Sequence, residues 1–192
     1  LHKSISVVAE ISCNHEGSII QAHSLMETAK YAGADAIKIQ CYTPDEMTVY
    51  RETEDFYIKD GIWKGKYLVD LYNDTYTPLA WLPALFNYAV QINIPIFASV
   101  FGEKSLAALE AVNCPAYKIA SFELNDTNLI KIVAATGKPM VLSTGVATIN
   151  EIDRAIQEIE KYYGDNYIVM HCVSKYPAKL CEMQLSKITE YG

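Results

Sequence analysis

Ala36-Ile37-Lys38-Ile39-Gln40 sets a lysine and a glutamine two residues apart inside an otherwise apolar, β-branched run. In a strand, positions i and i+2 share a face, so Lys38 and Gln40 project to one side while Ile37 and Ile39 pack on the other. Burying an ammonium is costly unless a counter-charge or ligand meets it. Ala116-Tyr117-Lys118-Ile119-Ala120-Ser121 repeats the arrangement, with Glu123 close behind. One such lysine could pack its stem and send its head to water. Two on comparable strands point to a site for a small, highly negative ligand.

Working outward, residues 5–11, 36–42, 95–100, 116–121, 139–144 and 167–173 form short apolar runs that barely alternate, the pattern of parallel strands buried on both faces. Between them, 18–31, 78–91, 103–111, 128–135 and 149–162 carry helical period. Gly33, Gly137 and Gly164 stand as C-terminal stops, and Thr148-Ile149-Asn150-Glu151 matches a capping box. Repeated β/α units fit a barrel or a doubly wound sheet. No GxGxxG or P-loop follows any strand, which favours the barrel. A closed (β/α)8 barrel has eight strands and typically about 250 residues, whereas six strands are visible here. The expected fold is therefore α/β, a TIM (β/α)8-type barrel that stops after about six β/α units.

The chain has 192 residues, 51% of them hydrophobic, enough for one sizeable core and short for two ordinary domains. Its net charge is −7 with no basic run, which argues against nucleic-acid or anionic-membrane partners. Any anion must then be held by local lysines. No apolar run approaches a membrane span, and Leu1-His2-Lys3-Ser4 leads into a strand instead of a signal peptide, so a cytoplasmic location is expected. The five cysteines, Cys13, Cys41, Cys114, Cys172 and Cys181, form no CxxC pair. Cys13, Cys41 and Cys172 lie in or just after apolar runs and read as small hydrophobes. A nucleophilic cysteine beside His15 or His171 is a minor alternative.

The connection between the second and third strands is much longer than the others. Its first part, residues 43–77, is rich in tyrosine and charge, with Trp63, Tyr67, Tyr72 and Tyr76 offering apolar faces to a sugar or covering a hydrophobic shoulder. It leaves the C-terminal end of its strand, the face where such barrels build sites. Polar residues collect at those ends: Glu10, Asn14 and His15; Lys38 and Gln40; Ser99; Lys118, Ser121 and Glu123; Ser143, Thr144 and Gly145; His171, Ser174 and Tyr176. Lysines, small hydroxyls and a glycine suit a phosphate; glutamine, glutamate and tyrosine suit sugar hydroxyls and amides. Singly, each serine could be a turn or cap, Glu10 a lysine's partner, and His171 a satisfied core histidine.

Seven motifs occur in order: Val8-Ala9-Glu10-Ile11, Asn14-His15-Glu16-Gly17-Ser18, Gly33-Ala34-Asp35-Ala36-Ile37-Lys38-Ile39-Gln40, Pro115-Ala116-Tyr117-Lys118-Ile119-Ala120-Ser121-Phe122-Glu123, Gly137-Lys138-Pro139, Leu142-Ser143-Thr144-Gly145 and His171-Cys172-Val173-Ser174-Lys175-Tyr176-Pro177. Together they resemble the sialic acid synthase family, which condenses phosphoenolpyruvate with an acetamido sugar to make nonulosonic acids. Tyr42-Thr43-Pro44-Asp45, Ile62-Trp63-Lys64-Gly65-Lys66, Leu71-Tyr72 and Tyr76-Thr77-Pro78 look like its pseudaminic acid branch. N-acetylneuraminic or legionaminic acid synthesis is the sibling alternative.

The resemblance implies that Lys38, Ser99, Lys118, Ser121 and Ser143 hold phosphoenolpyruvate. Ser174 joins them where the N-acetylneuraminate enzymes carry an asparagine, and Gln40, Glu123 and Tyr176 contact the sugar. Glu10, Lys38 and Lys118 would be catalytic, with Glu10 near the reacting carbons. The resemblance also implies a divalent metal (Mn or Mg) whose histidine ligands belong to the seventh and eighth strands, beyond Gly192, and a homodimer at full length. Residues 1–192 would then be the N-terminal part of the barrel, without its final strands or the C-terminal antifreeze-like domain. An inactive fragment that binds phosphate or a partner chain is the remaining alternative.

Overall fold

The apolar run that opens the sequence reading folds as a parallel strand with two different faces. In the computed structural model, which describes residues 5–175 and 177–190, Ile37, Ile39 and Cys41 are buried on one side of β2 (Ala36–Cys41), and Lys38 and Gln40 are half-buried on the other. Residues 1–4, where the chain's start was read for a leader, lie outside the described residues.

The chain divides into two compact units, Leu1–Cys114 and Pro115–Gly192. In the first, β2 pairs in parallel with β1 (Val8–Ser12) and β3 (Ile96–Val100), with Glu10 opposite Lys38 and Gln40 opposite Ser99. Its helices are α1 (Ile19–Tyr31), α2 (Pro44–Met47), α3 (Leu68–Thr75), α4 (Leu82–Gln91) and α5 (Glu103–Ala111). In the second, β5 (Met140–Ser143) pairs in parallel with β4 (Tyr117–Ile119) and β6 (Tyr167–Met170). Its helices are α6 (Thr127–Ala134), α7 (Ile149–Tyr163) and α8 (Lys187–Glu190). Six parallel strands alternating with helices, paired in chain order within each unit, make this an α/β fold of the TIM-barrel type.

Two helix starts differ from the sequence reading for local reasons. Residues 79–81 wind as a 3-10 turn and α4 begins at Leu82, because Pro83 lacks an N–H and fits only a helix's first turn. Asp126 caps α6, its carboxylate accepting the Asn128 and Leu129 N–H groups at 3.0 Å. The expected Thr148/Glu151 box does form at α7, with the Thr148 N–H 2.7 Å from Glu151 Oε2.

Residues 43–77 are ordered, not a bare loop. Tyr57 and Tyr67 form an antiparallel bridge, closed by Ile58 N–H to Lys66 O at 2.9 Å, and Trp63 sits 48% exposed on the intervening tip. Glu46 ties this excursion down. One carboxylate oxygen accepts the Thr43 N–H at 2.9 Å and the other the Ser105 N–H at 3.0 Å. Because the residue preceding α5 is Gly102, with no side chain to cap with, Glu46 caps that helix from a distant segment. A Cβ at Gly102 would collide with the Glu46 carboxylate. Glu46→Ala is therefore expected to destabilise the protein by roughly 1–2 kcal/mol, read as a lowered melting temperature. Lys104→Ala, which breaks only an exposed pair with Asp45, should change it far less. Equal effects from the two would remove the capping role.

Candidate active site

In the first unit, Lys38 lies between its two neighbouring strands. Its ammonium pairs with the Glu10 carboxylate from β1 and donates to Ser99 Oγ of β3 at 3.1 Å. The lysine side chain is 14% exposed and Glu10 39%, while Ser99 is buried. Glu10 thus takes the plain role weighed for it, partner to a lysine. An anion arriving here would compete with that carboxylate for the ammonium. Gln40, one i+2 step along β2, stands on the same face, and its Oε1 lies 3.6 Å from Cys13 Sγ.

His15 is buried and committed to structure. Its Nδ1 accepts the Gly17 N–H at 3.2 Å, so Nε2 carries the proton and donates to Thr77 Oγ1 at 3.1 Å. The ring packs edge-on against Trp81, and burial holds its pKa below the ordinary histidine value. Burial also pushes the Cys13 thiol up. With its histidine engaged elsewhere and its thiol protonated, Cys13 is no activated nucleophile, which disposes of that alternative here.

In the second unit, Lys118 is half-buried on β4 and Ser143 is buried at the end of β5. The turn after β5 is drawn tight. The Gly145 N–H donates to Ser121 Oγ at 3.2 Å, Thr144 Oγ1 donates to Met170 O at 2.8 Å, and Gly145 lies against Ser174 and Cys172. That leaves the Ser121 hydroxyl proton available to a ligand. His171 engages Met183 O through Nε2 at 2.8 Å, the satisfied histidine anticipated for an apolar strand. Tyr176 lies outside the described residues.

Glu123 has one carboxylate oxygen buried without a hydrogen-bond partner among the described residues. Burial raises its pKa, opposed by a backbone hydrogen bond and by Lys118. Lys118 is pushed down, again chiefly by burial. A raised folded-state glutamate pKa means that stability is fully present below the ordinary value of 4.5 and is lost as pH rises through the folded value. Glu123→Gln is thus expected to raise the melting temperature at neutral pH and to make little difference near pH 4.5. A thermal-shift series across that range, with no gain at neutral pH, would show that the buried carboxylate is not strained.

Sequence reasoning read Cys13 as a small hydrophobe or a minor nucleophile candidate and did not foresee that it forms a hydrogen-bonded group with Tyr42 and Thr75 beside Gln40. Tyr42 Oη lies 2.9 Å from Thr75 Oγ1 and 3.7 Å from Cys13 Sγ. Of the four aromatics assigned to residues 43–77, Tyr72 packs edge-on against Tyr42 and Tyr67 against Tyr57. Among the described residues no three His, Cys, Asp or Glu side chains group as metal ligands. The described residues therefore offer no ligand set of their own for a divalent ion. Among the same residues no helix is long and apolar enough to cross a membrane.

A match to the NeuB family spans residues 25–192. The pseudaminic acid synthase of Campylobacter jejuni subsp. jejuni serotype O:23/36 is 39% identical over 186 residues, covering 97% of this chain and 54% of that protein. Its Helicobacter pylori counterpart is 38% identical, covering 97% and 55%. The N-acetylneuraminic acid (sialic acid) synthetase of Leptospira borgpetersenii serovar Hardjo-bovis, solved in complex with citrate, superposes with a TM-score of 0.85 at 27% identity, over 98% of this chain and 61% of that one. The chain spans about half the length of the curated relatives it matches.

Proposed function

Because the chain belongs to the NeuB family, we propose that the protein condenses phosphoenolpyruvate with a 2,4-diacetamido-2,4,6-trideoxy hexose and water to give pseudaminic acid and phosphate. The observation that carries this is Lys38, held between Glu10 and Ser99 on adjacent strands, where an anion would compete with the Glu10 carboxylate for the ammonium. The identity to two pseudaminic acid synthases supports the choice of product, and the citrate in the Leptospira relative is consistent with a small polyanion.

In this reading Lys38, Ser99, Lys118, Ser121, Ser143 and Ser174 contact phosphoenolpyruvate. Gln40, Glu123 and Tyr176 contact the sugar. C3 of phosphoenolpyruvate attacks the open-chain aldehyde carbon, water adds at C2, and the tetrahedral intermediate expels phosphate. The lysines stabilise the charge that develops on the leaving phosphate. As the phosphate takes over Lys38, the displaced Glu10 carboxylate is free to accept a proton from the attacking water. A divalent metal, Mn or Mg, would take its histidines from outside these 192 residues and would polarise the aldehyde when bound. The full-length protein would work as a cytoplasmic homodimer.

The test is a competition on the full-length protein between 2,4-diacetamido-2,4,6-trideoxy-altrose and N-acetylmannosamine. Preference for the deoxy sugar is expected. Preference for N-acetylmannosamine would move the protein to the N-acetylneuraminate branch, and turnover of neither sugar would overturn the synthase reading.

A further inference from the structure

Gln40 faces Cys13 with its carbonyl oxygen, and the protons of the surrounding hydroxyls are consistent with that orientation. The Thr75 hydroxyl donates to Leu71 O at 2.8 Å, which uses its only proton. Tyr42 Oη, 2.9 Å from that hydroxyl, must therefore donate to it. Towards Cys13, Tyr42 is then left with acceptor capacity alone, and Gln40 Oε1 is an acceptor too. The thiol carries the single proton available between these oxygens, at 3.6 Å from Gln40 Oε1 and 3.7 Å from Tyr42 Oη. Burial keeps that thiol protonated. With its carbonyl oxygen held by sulfur, Gln40 turns its amide N–H groups away from Cys13. Those donors lie on the face of β2 that also carries Lys38.

We propose that Cys13 is a positioning residue, which holds Gln40 so that its amide N–H groups meet an acceptor oxygen of the sugar, a hydroxyl or an acetamido carbonyl. This rests on the reading of Gln40 as a sugar contact. Tyr42 and Thr75 are the outer part of the same network and belong to its structural side. The ring of Tyr42 is fixed independently, edge-on between Tyr72 and Phe101.

Steady-state kinetics on the full-length protein separate the cases, with the acetamido sugar varied at saturating phosphoenolpyruvate. Cys13→Ala should raise KM for the sugar about fivefold, with kcat and KM for phosphoenolpyruvate unchanged. Cys13→Ser restores a donor and should recover most of the loss. Tyr42→Phe keeps the ring but cuts the tie to Thr75, so it should lower the melting temperature without moving the sugar KM. If Gln40→Ala raises the sugar KM and Cys13→Ala does not, the positioning role is overturned while the sugar contact stands. A Cys13→Ala defect that falls equally on both substrates, or that serine fails to relieve, also overturns it. If Gln40→Ala leaves the sugar KM unchanged, the reading beneath the proposal fails, and the proposal with it.

Discussion

Lys38→Ala is expected to lower kcat/KM for phosphoenolpyruvate by roughly tenfold to a hundredfold, the loss of a charge-assisted contact of about 1.5–3 kcal/mol in a partly desolvated site. Two features of the site push the effect towards the upper end. The lysine side chain is 14% exposed, so water screens its charge weakly, and its removal leaves the Glu10 carboxylate facing an anionic substrate with no cation between them. Substituting Glu10→Gln together with Lys38→Ala should relieve that repulsion and recover part of the affinity for phosphoenolpyruvate, although not the turnover. Lys118→Ala should give a loss of similar size from the second unit. Kinetics with phosphoenolpyruvate varied decide the matter, and unchanged values in both lysine variants would eliminate the anion site.

Gly145→Ala should damage both stability and phosphoenolpyruvate use. Its new Cβ would stand 2.9 Å from the Ser174 backbone nitrogen and 3.1 Å from the Cys172 carbonyl oxygen, besides colliding with the Ser174 hydroxyl. A side-chain tip could swing away, but backbone cannot do so without moving the segment that follows β6. Overpacking of this kind costs about 1–3 kcal/mol, and the shift would break the Gly145 N–H bond that orients Ser121. Ser121→Ala is the companion variant, since it removes the hydroxyl without adding bulk. It should reduce phosphoenolpyruvate use and lower the melting temperature less than Gly145→Ala does, since it leaves only the Gly145 N–H without its acceptor. A Gly145→Ala protein that melts and turns over like the unmodified one would mean that the turn has room to spare.

All six strands were legible because their signal is local. A buried parallel strand needs a short β-branched run, and Ile37, Ile39, Leu142 and their neighbours supply it. Lys38 and Lys118 stood out for the same reason, as charges inside such runs. The contacts that join distant segments were not legible. Glu46 and Ser105 are 59 positions apart, and Cys13 meets Gln40 and Tyr42 across 27 and 29. Nothing in the composition around Cys13 distinguishes a hydrogen-bond donor from a small apolar filler. Likewise, Tyr67 and Tyr72 look the same in sequence whether they pack on other tyrosines or line a pocket, because an aromatic ring serves both uses.

The excursion over residues 43–77 is fastened at its two ends, by Glu46 near its start and by Thr75 near its finish, while the stretch around Trp63 is closed by the Tyr57 to Tyr67 bridge and reaches α3 through an exposed Lys66–Asp74 pair. Fastening and display are thus assigned to different residues. A lineage could accumulate changes in the tip without disturbing the helices that secure it, so the tip is free to drift while the anchors stay fixed. The same separation makes the tip a transplantable cassette: residues 58–66 exchanged between relatives should be accepted by the host, carrying the donor's surface with them.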